Sequence, residues 1–155
     1  MATITAWRTT SRPYAATAFD GKGAATYGGR WNPEGVPAVY LSASRALSVL
    51  EVLARVRGPE DLAHFVLIPA TFDDHHVTAP DALPPDWRAL PAPESTRRLG
   101  AAWATGKESL VLRVPSVVLP AEANYVLNPL HPAFGEVEIG EPVPLDIDPR
   151  LMGAP

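Results

Sequence analysis

The sequence predicts one α+β domain, spanning residues 1–155, in which strand outweighs helix. Three observations carry this. Runs such as "ITAWRTT" at 4–10 and "LAHFVLIPATF" at 62–72 are rich in β-branched and aromatic residues. Only two longer stretches read as helix. Eighteen prolines are spread along the whole chain, which punctuates it into short elements.

The elements follow in order. "ITAWRTT" is the first strand. The glycine-rich "FDGKGAATYGGRWNPEG" reads as turns throughout. "VPAVYLS" gives a strand that begins near Ala38. The period then changes: Ala43, Ala46, Leu47, Leu50, Leu53 and Ala54 recur at helical spacing. Ser42 is the expected cap, Gly58-Pro59 the stop, and Arg55 and Arg57 suit the C-terminal end. Residues 62–72 form the next strand. Residues 73–96 read as loop with one short helical turn. "TRRLGAAWATGKE" predicts the second helix, weakened by Gly100. "SLVLRVPSVVLP" is a buried strand in which Pro115 marks an edge or a bulge. "NYVLNPLHPAF" and "EVEIGEPVPLDI" supply the last two strands.

Composition narrows the functional classes. Hydrophobic residues make up 46% of the 155, enough for a core. The net charge of -4 argues against a nucleic-acid-binding surface. With no cysteine, thiolate and disulfide chemistry is excluded. The N-terminus has no apolar h-region, and no segment approaches the ~20 apolar residues of a bilayer span. A soluble, cytoplasmic protein is expected.

Several polar residues compete for a functional role. At about 100° per residue, Glu51 falls roughly 40° beyond Leu47, at the edge of the expected apolar face. It reads either as a partly desolvated carboxylate beside a site or as a surface partner of Arg55. Taken alone, the spacing favours the ion pair. Arg30 follows Gly28-Gly29, where two glycines let backbone approach a ligand and an arginine fork suits phosphate. The alternative is a surface arginine beside a buried Trp31. Tyr40 reads as a ring for a flat ligand or as core. "GKG" at 21–23 is no phosphate loop, because the Walker spacing is missing. "DDHH" at 73–76 lacks any metal-ligand spacing, and no metal site is expected. Ser116 lacks the context of a hydrolase nucleophile, although it can donate a hydrogen bond. Asn124, Asn128 and His131 read as turn-forming groups.

Together, "GGRW", "AVYLS", "LEVL", "RRLGAAW" and "LRVPSVVLPAEANYVLNPLHPAF" resemble the RES-domain toxins of bacterial toxin–antitoxin pairs. The resemblance is clearest over residues 7–134 and fades beyond Phe134. The arginine, glutamate and serine that name the family would fall on Arg30, Glu51 and Ser116. Its tyrosine would fall on Tyr40, and an early arginine on Arg8. The resemblance implies a curved, split β-sheet with flanking helices, similar to ADP-ribosyltransferases. It also implies an NAD-consuming enzyme with NAD as substrate and no resident cofactor. The acceptor could be water, phosphate or a protein side chain. In that setting Glu51 would stabilise the ribosyl cation. Arg30 and Arg8 would hold the diphosphate, and Tyr40 would pack on the nicotinamide end. Ser116 would bind that end or orient Glu51. An antitoxin with an Xre-type helix-turn-helix domain is the implied partner. A homodimer within the toxin–antitoxin complex is a further expectation, without direct contact to nucleic acid or membrane.

Overall fold

The computed structural model describes residues 2–56 and 62–152. Its strands are β1 (Thr3–Ser11), β2 (Val39–Ser42), β3 (Phe65–Asp73), β4 (Val77–Thr78), β5 (Val111–Pro115), β6 (Ala123–Leu127), β7 (Glu138–Ile139) and β8 (Val143–Pro144). Its helices are α1 (Lys22–Tyr27), α2 (Arg45–Leu53) and α3 (Glu94–Gly106). The fold is α+β, as expected. The strands form one curled sheet in the order β4-β5-β6-β2-β1-β3-β7, with β8 also pairing β3.

The sheet is split in the middle. β1 pairs β3 along its whole length, from Thr3↔Asp73 to Ser11↔Phe65. β2 pairs β6 from Val39↔Leu127 to Ser42↔Asn124. Between β1 and β2, however, only Trp7↔Ser42 is in register. The two halves part at that point. Strand carbonyls left behind there need other donors. The Tyr40 carbonyl receives one from Arg8 Nη1 at 3.1 Å.

Alternation along the strands sorts side chains onto two faces. One face buries Ala6, Leu41, Ile68, Val111 and Leu127 in a cluster that spans both halves. The other face carries Leu112, Val114 and Val126, packed against Trp31 and against Trp103 and Ala104 of α3. By the same alternation, Tyr40, Ser42 and Asn124 project on this second face. α3 packs so closely that a Cβ on Gly100 would lie 1.5 Å from the Trp31 carbonyl oxygen. That glycine, expected only to weaken the helix, is what lets α3 clamp the loop carrying Arg30.

Several expectations need correction. α2 is capped by Ser44, whose Oγ accepts from Leu47 N at 3.0 Å, and Ser42 instead joins the sheet. The buried face of α2 is Leu47, Ser48, Val49 and Val52, while Leu50 is 39% exposed and Ala46 lies in solvent. Apolar spacing identified leucines and alanines, but docking on β1 selected a different stripe. The Ser48 and Thr9 hydroxyls, 2.6 Å apart, satisfy each other in that buried contact. α2 ends at Leu53, and Arg57 and Gly58-Pro59 lie outside the described residues. The glycine-rich stretch contains a helix, α1, that turn signals concealed. Its exit at Gly28 uses a φ of 73°, the left-handed region that favours glycine. The single final strand is two short ones, β7 and β8, both on β3. β4 pairs only Val111 and Leu112, so β5 is an edge by the time it reaches Pro115. No helix among the described residues is long and apolar enough to cross a membrane.

Candidate active site

α2 leaves the end of β2 and lies beside the split, which turns one side of the helix toward the second face of the sheet. On the helical wheel Glu51 is roughly 40° from Leu47 and 60° from Ser48, inside the buried arc and not at its edge. Its carboxylate meets residues far along the chain. Oε1 accepts from Ser116 Oγ at 2.6 Å and from Asn124 Nδ2 at 2.8 Å. No ion pair joins Glu51 to Arg55 among the described residues; Arg55 Nε donates instead to the Glu51 carbonyl at 3.3 Å. The surface ion-pair alternative is thereby removed.

Ser116 is fully buried, immediately beyond the end of β5. Its Oγ accepts from Val118 N at 3.1 Å and Leu119 N at 3.0 Å, which directs its own hydrogen at Glu51. Ser116 thus reaches Glu51 from behind and is not among the residues that line the cleft. Asn124, read as a turn residue, sits within β6 and links Glu51 to Ser42, whose Oγ donates to Asn124 Oδ1 at 2.8 Å. Nothing in the local sequence marks this role, because the partner is 73 residues away. Asn128 and His131 do serve turns: Asn128 Oδ1 accepts from Leu130 N and His131 Nδ1 from Ala133 N, each at 3.0 Å.

The glycine loop works differently from expectation. A Cβ on Gly29 would meet the Tyr40 hydroxyl at 2.7 Å and Asn32 Oδ1 at 2.8 Å. The close approach is thus to the protein's own tyrosine. The Tyr40 hydroxyl accepts from Trp31 N at 3.0 Å and donates to Asn32 Oδ1, so its polar end fixes the loop and its ring edge borders the cleft. Burial pushes its ionisation well above the usual range, leaving it neutral at physiological pH. Arg30 Nη1 donates to the carbonyls of Trp87 at 2.9 Å and Ala89 at 2.7 Å, tying its loop to the segment whose Leu90 and Ala92 border the cleft. Its Nε and Nη2 take no bond from the described residues. Arg97 Nε braces the same loop through the Gly29 carbonyl at 3.2 Å.

Several of these side chains line one cleft of about 1010 Å³. This is near the upper end of the ~300–1,000 Å³ of small-molecule sites. Arg8, Arg30, Tyr40, Glu51 and Asn124 all border it, as does Arg55. On a chain of net charge -4, its charged lining among the described residues is three arginines and one glutamate. Arg8 is half-buried, but its Nε is buried and has no partner among the described residues. Burial first, and Arg55 second, lower its pKa to about 10, so it stays charged near neutrality. A buried guanidinium nitrogen left without an acceptor is costly unless an anion meets it. The "DDHH" segment is a short 3-10 turn, in which His75 Nδ1 lies 2.7 Å from Asp73 Oδ1, and it lies outside this cleft. Among the described residues no group of three or more His, Asp or Glu could hold a metal ion.

Comparison with known families matches the RES domain over residues 5–148. The chain belongs to the RES-domain family. The match continues past Phe134, where the resemblance was expected to fade, and takes in β7 and β8. This RES domain is 38% identical over 148 residues to "Toxin Res" of Yersinia enterocolitica, covering 94% of this chain and 97% of that protein. It is 34% identical over 157 residues to the "Prs ADP-ribosylating toxin" of a Sphingobium species, covering 97% and 98%. Among solved structures it resembles the MbcT–MbcA toxin–antitoxin complex of M. tuberculosis, with a TM-score of 0.69 at 22% identity. That likeness covers 98% of this chain and 88% of the other. The RES fold is therefore shared, and Arg30, Glu51 and Ser116 are the positions where the resemblance would put the arginine, glutamate and serine of the family name. Of these, Ser116 hydrogen-bonds Glu51, while Arg30 borders the same cleft as Glu51.

Proposed function

We propose that this RES domain is the toxin of a toxin–antitoxin pair and that it consumes NAD by cleaving the nicotinamide–ribose bond. One observation carries the reading: Glu51, with one carboxylate oxygen held by Ser116 and Asn124, borders a cleft whose other charged lining groups among the described residues are arginines. NAD presents the matching chemistry, an anionic diphosphate beside a ribose that becomes cationic as the bond breaks. The electron pair of the C1′–N bond goes to the nicotinamide nitrogen, which leaves neutral and needs no acid. Glu51 meets the positive charge on C1′ in a low-dielectric cleft, where the interaction is strongest. An acceptor oxygen then bonds to C1′, and its proton leaves to Glu51 or solvent. Arg8 and the free edge of Arg30 hold the diphosphate. Tyr40 supports the nicotinamide end by packing. The chemistry calls for no resident metal or cofactor.

A second reading uses the same site with a protein side chain as acceptor. It is supported by the 34% identical relative named as an ADP-ribosylating toxin. The deciding experiment incubates purified protein with adenine-labelled NAD, with and without phosphate, and with cell extract. Nicotinamide release with free ADP-ribose or its 1-phosphate supports NAD consumption, and label on protein supports the second reading. Undiminished NAD would sink both. A co-encoded antitoxin bearing an Xre-type helix-turn-helix is the proposed partner, and it should co-purify and block nicotinamide release. The toxin alone should not bind operator DNA.

A further inference from the structure

We propose that Asn124, held by Ser42, is a positioning residue that commits Glu51 Oε1 to the protein and leaves Oε2 as the one oxygen offered to substrate. The proposal rests on the reading of Glu51 as the group that meets the ribosyl cation.

The sheet register builds this device. Asn124 on β6 faces Ser42 on β2 and Val114 on β5 as direct cross-strand neighbours. Ser42 is buried, and its hydroxyl donates to Asn124 Oδ1. That fixes which end of the amide points at Glu51, because the flipped amide would set Oδ1 against a carboxylate oxygen. Nδ2 then donates to Oε1, the same oxygen that receives Ser116 Oγ. Oε2 takes no hydrogen bond from the described residues. A glutamate has three rotatable bonds, and Ser116 alone would leave the carboxylate free to swing about one contact. Two donors, one on β6 and one just beyond the end of β5, fix its plane. Orientation of this kind acts on the rate of the chemical step more than on substrate affinity. Asn124 also borders the cleft, so direct contact with substrate is the rival role.

The test compares Asn124→Ala, Ser42→Ala and the double variant, with Glu51→Gln as control, measuring nicotinamide release across NAD concentrations alongside thermal melts. Losing a hydrogen bond to a charged group should lower kcat by about 10- to 100-fold, with KM little changed. Ser42→Ala should cost less. The double variant should be no worse than Asn124→Ala, because Ser42 acts through Asn124. If Asn124→Ala does not fold, the isosteric Asn124→Asp carries the test. It cannot donate and sets a second carboxylate against Glu51, so kcat should fall at least as far. Wild-type kcat in these variants, a rise in KM alone, or multiplying effects of Ser42 and Asn124 would each overturn the proposal. An inactive Glu51→Gln beside a fully active Asn124→Ala would sink this inference alone. A fully active Glu51→Gln would remove the reading beneath it as well.

Discussion

Replacing Glu51 by glutamine separates chemistry from architecture. The amide oxygen can occupy the place of Oε1, so Ser116 Oγ and Asn124 Nδ2 keep an acceptor. Each bond drops from the charge-assisted range of ~1.5–3 kcal/mol to the neutral range of ~0.5–1.5 kcal/mol. The two losses come to about 2 kcal/mol together, opposed by the smaller desolvation cost of a neutral amide. At ~2–4 °C per kcal/mol for a chain of this size, the melt should fall by no more than about 8 °C. Turnover should fall far more. Removing one preorganised electrostatic partner of a developing charge typically costs ~10²- to 10³-fold, or ~2.7–4 kcal/mol. Nicotinamide release by purified protein gives the first quantity and a thermal scan the second. Cells should tolerate the variant without antitoxin. A Glu51→Gln protein with most of its turnover and an unchanged melt would refute the reasoning and leave the Glu51 charge without a catalytic role.

Arg30→Lys keeps the charge but cannot both hold the Trp87 and Ala89 carbonyls and reach the cleft. KM for NAD should rise about tenfold, as expected when ~1.4 kcal/mol of binding is lost; an unchanged KM would free Arg30 from substrate binding. Tyr40→Phe leaves Trp31 N and Asn32 Oδ1 without their hydroxyl partner, at ~1–3 kcal/mol per unsatisfied group, so urea should unfold it at lower concentration. An unshifted urea midpoint would show that the loop finds other partners. Gly100→Ala drives a methyl group into the Trp31 carbonyl, and overpacking of this kind costs ~1–3 kcal/mol or more. Its melting temperature should drop even though alanine is the better helix former. A stabilised Gly100→Ala would mean that α3 does not clamp the loop.

The sequence by itself determined the α+β class and most strand positions, because alternation and proline punctuation are local signals. Family resemblance brought forward Arg8, Arg30, Tyr40, Glu51 and Ser116, and the fold gathers four of them around one cleft with Ser116 directly behind Glu51. What the sequence could not carry was which side of each element would be covered. The leucines and alanines of α2 were legible as apolar, yet Leu50 and Ala46 face solvent while Leu47, Ser48, Val49 and Val52 are the residues that tertiary packing buries. That choice moved Glu51 from the edge of a face to its interior. Asn124 reads locally as a turn former, and only the pairing of β6 between β2 and β5 brings it to both Ser42 and Glu51. Gly29 suggested room for a ligand, whereas the room is taken by the Tyr40 hydroxyl. Hydrogen-bond partners tens of residues apart are set by strand register and by where the sheet splits, and neither is written in any short stretch of chain.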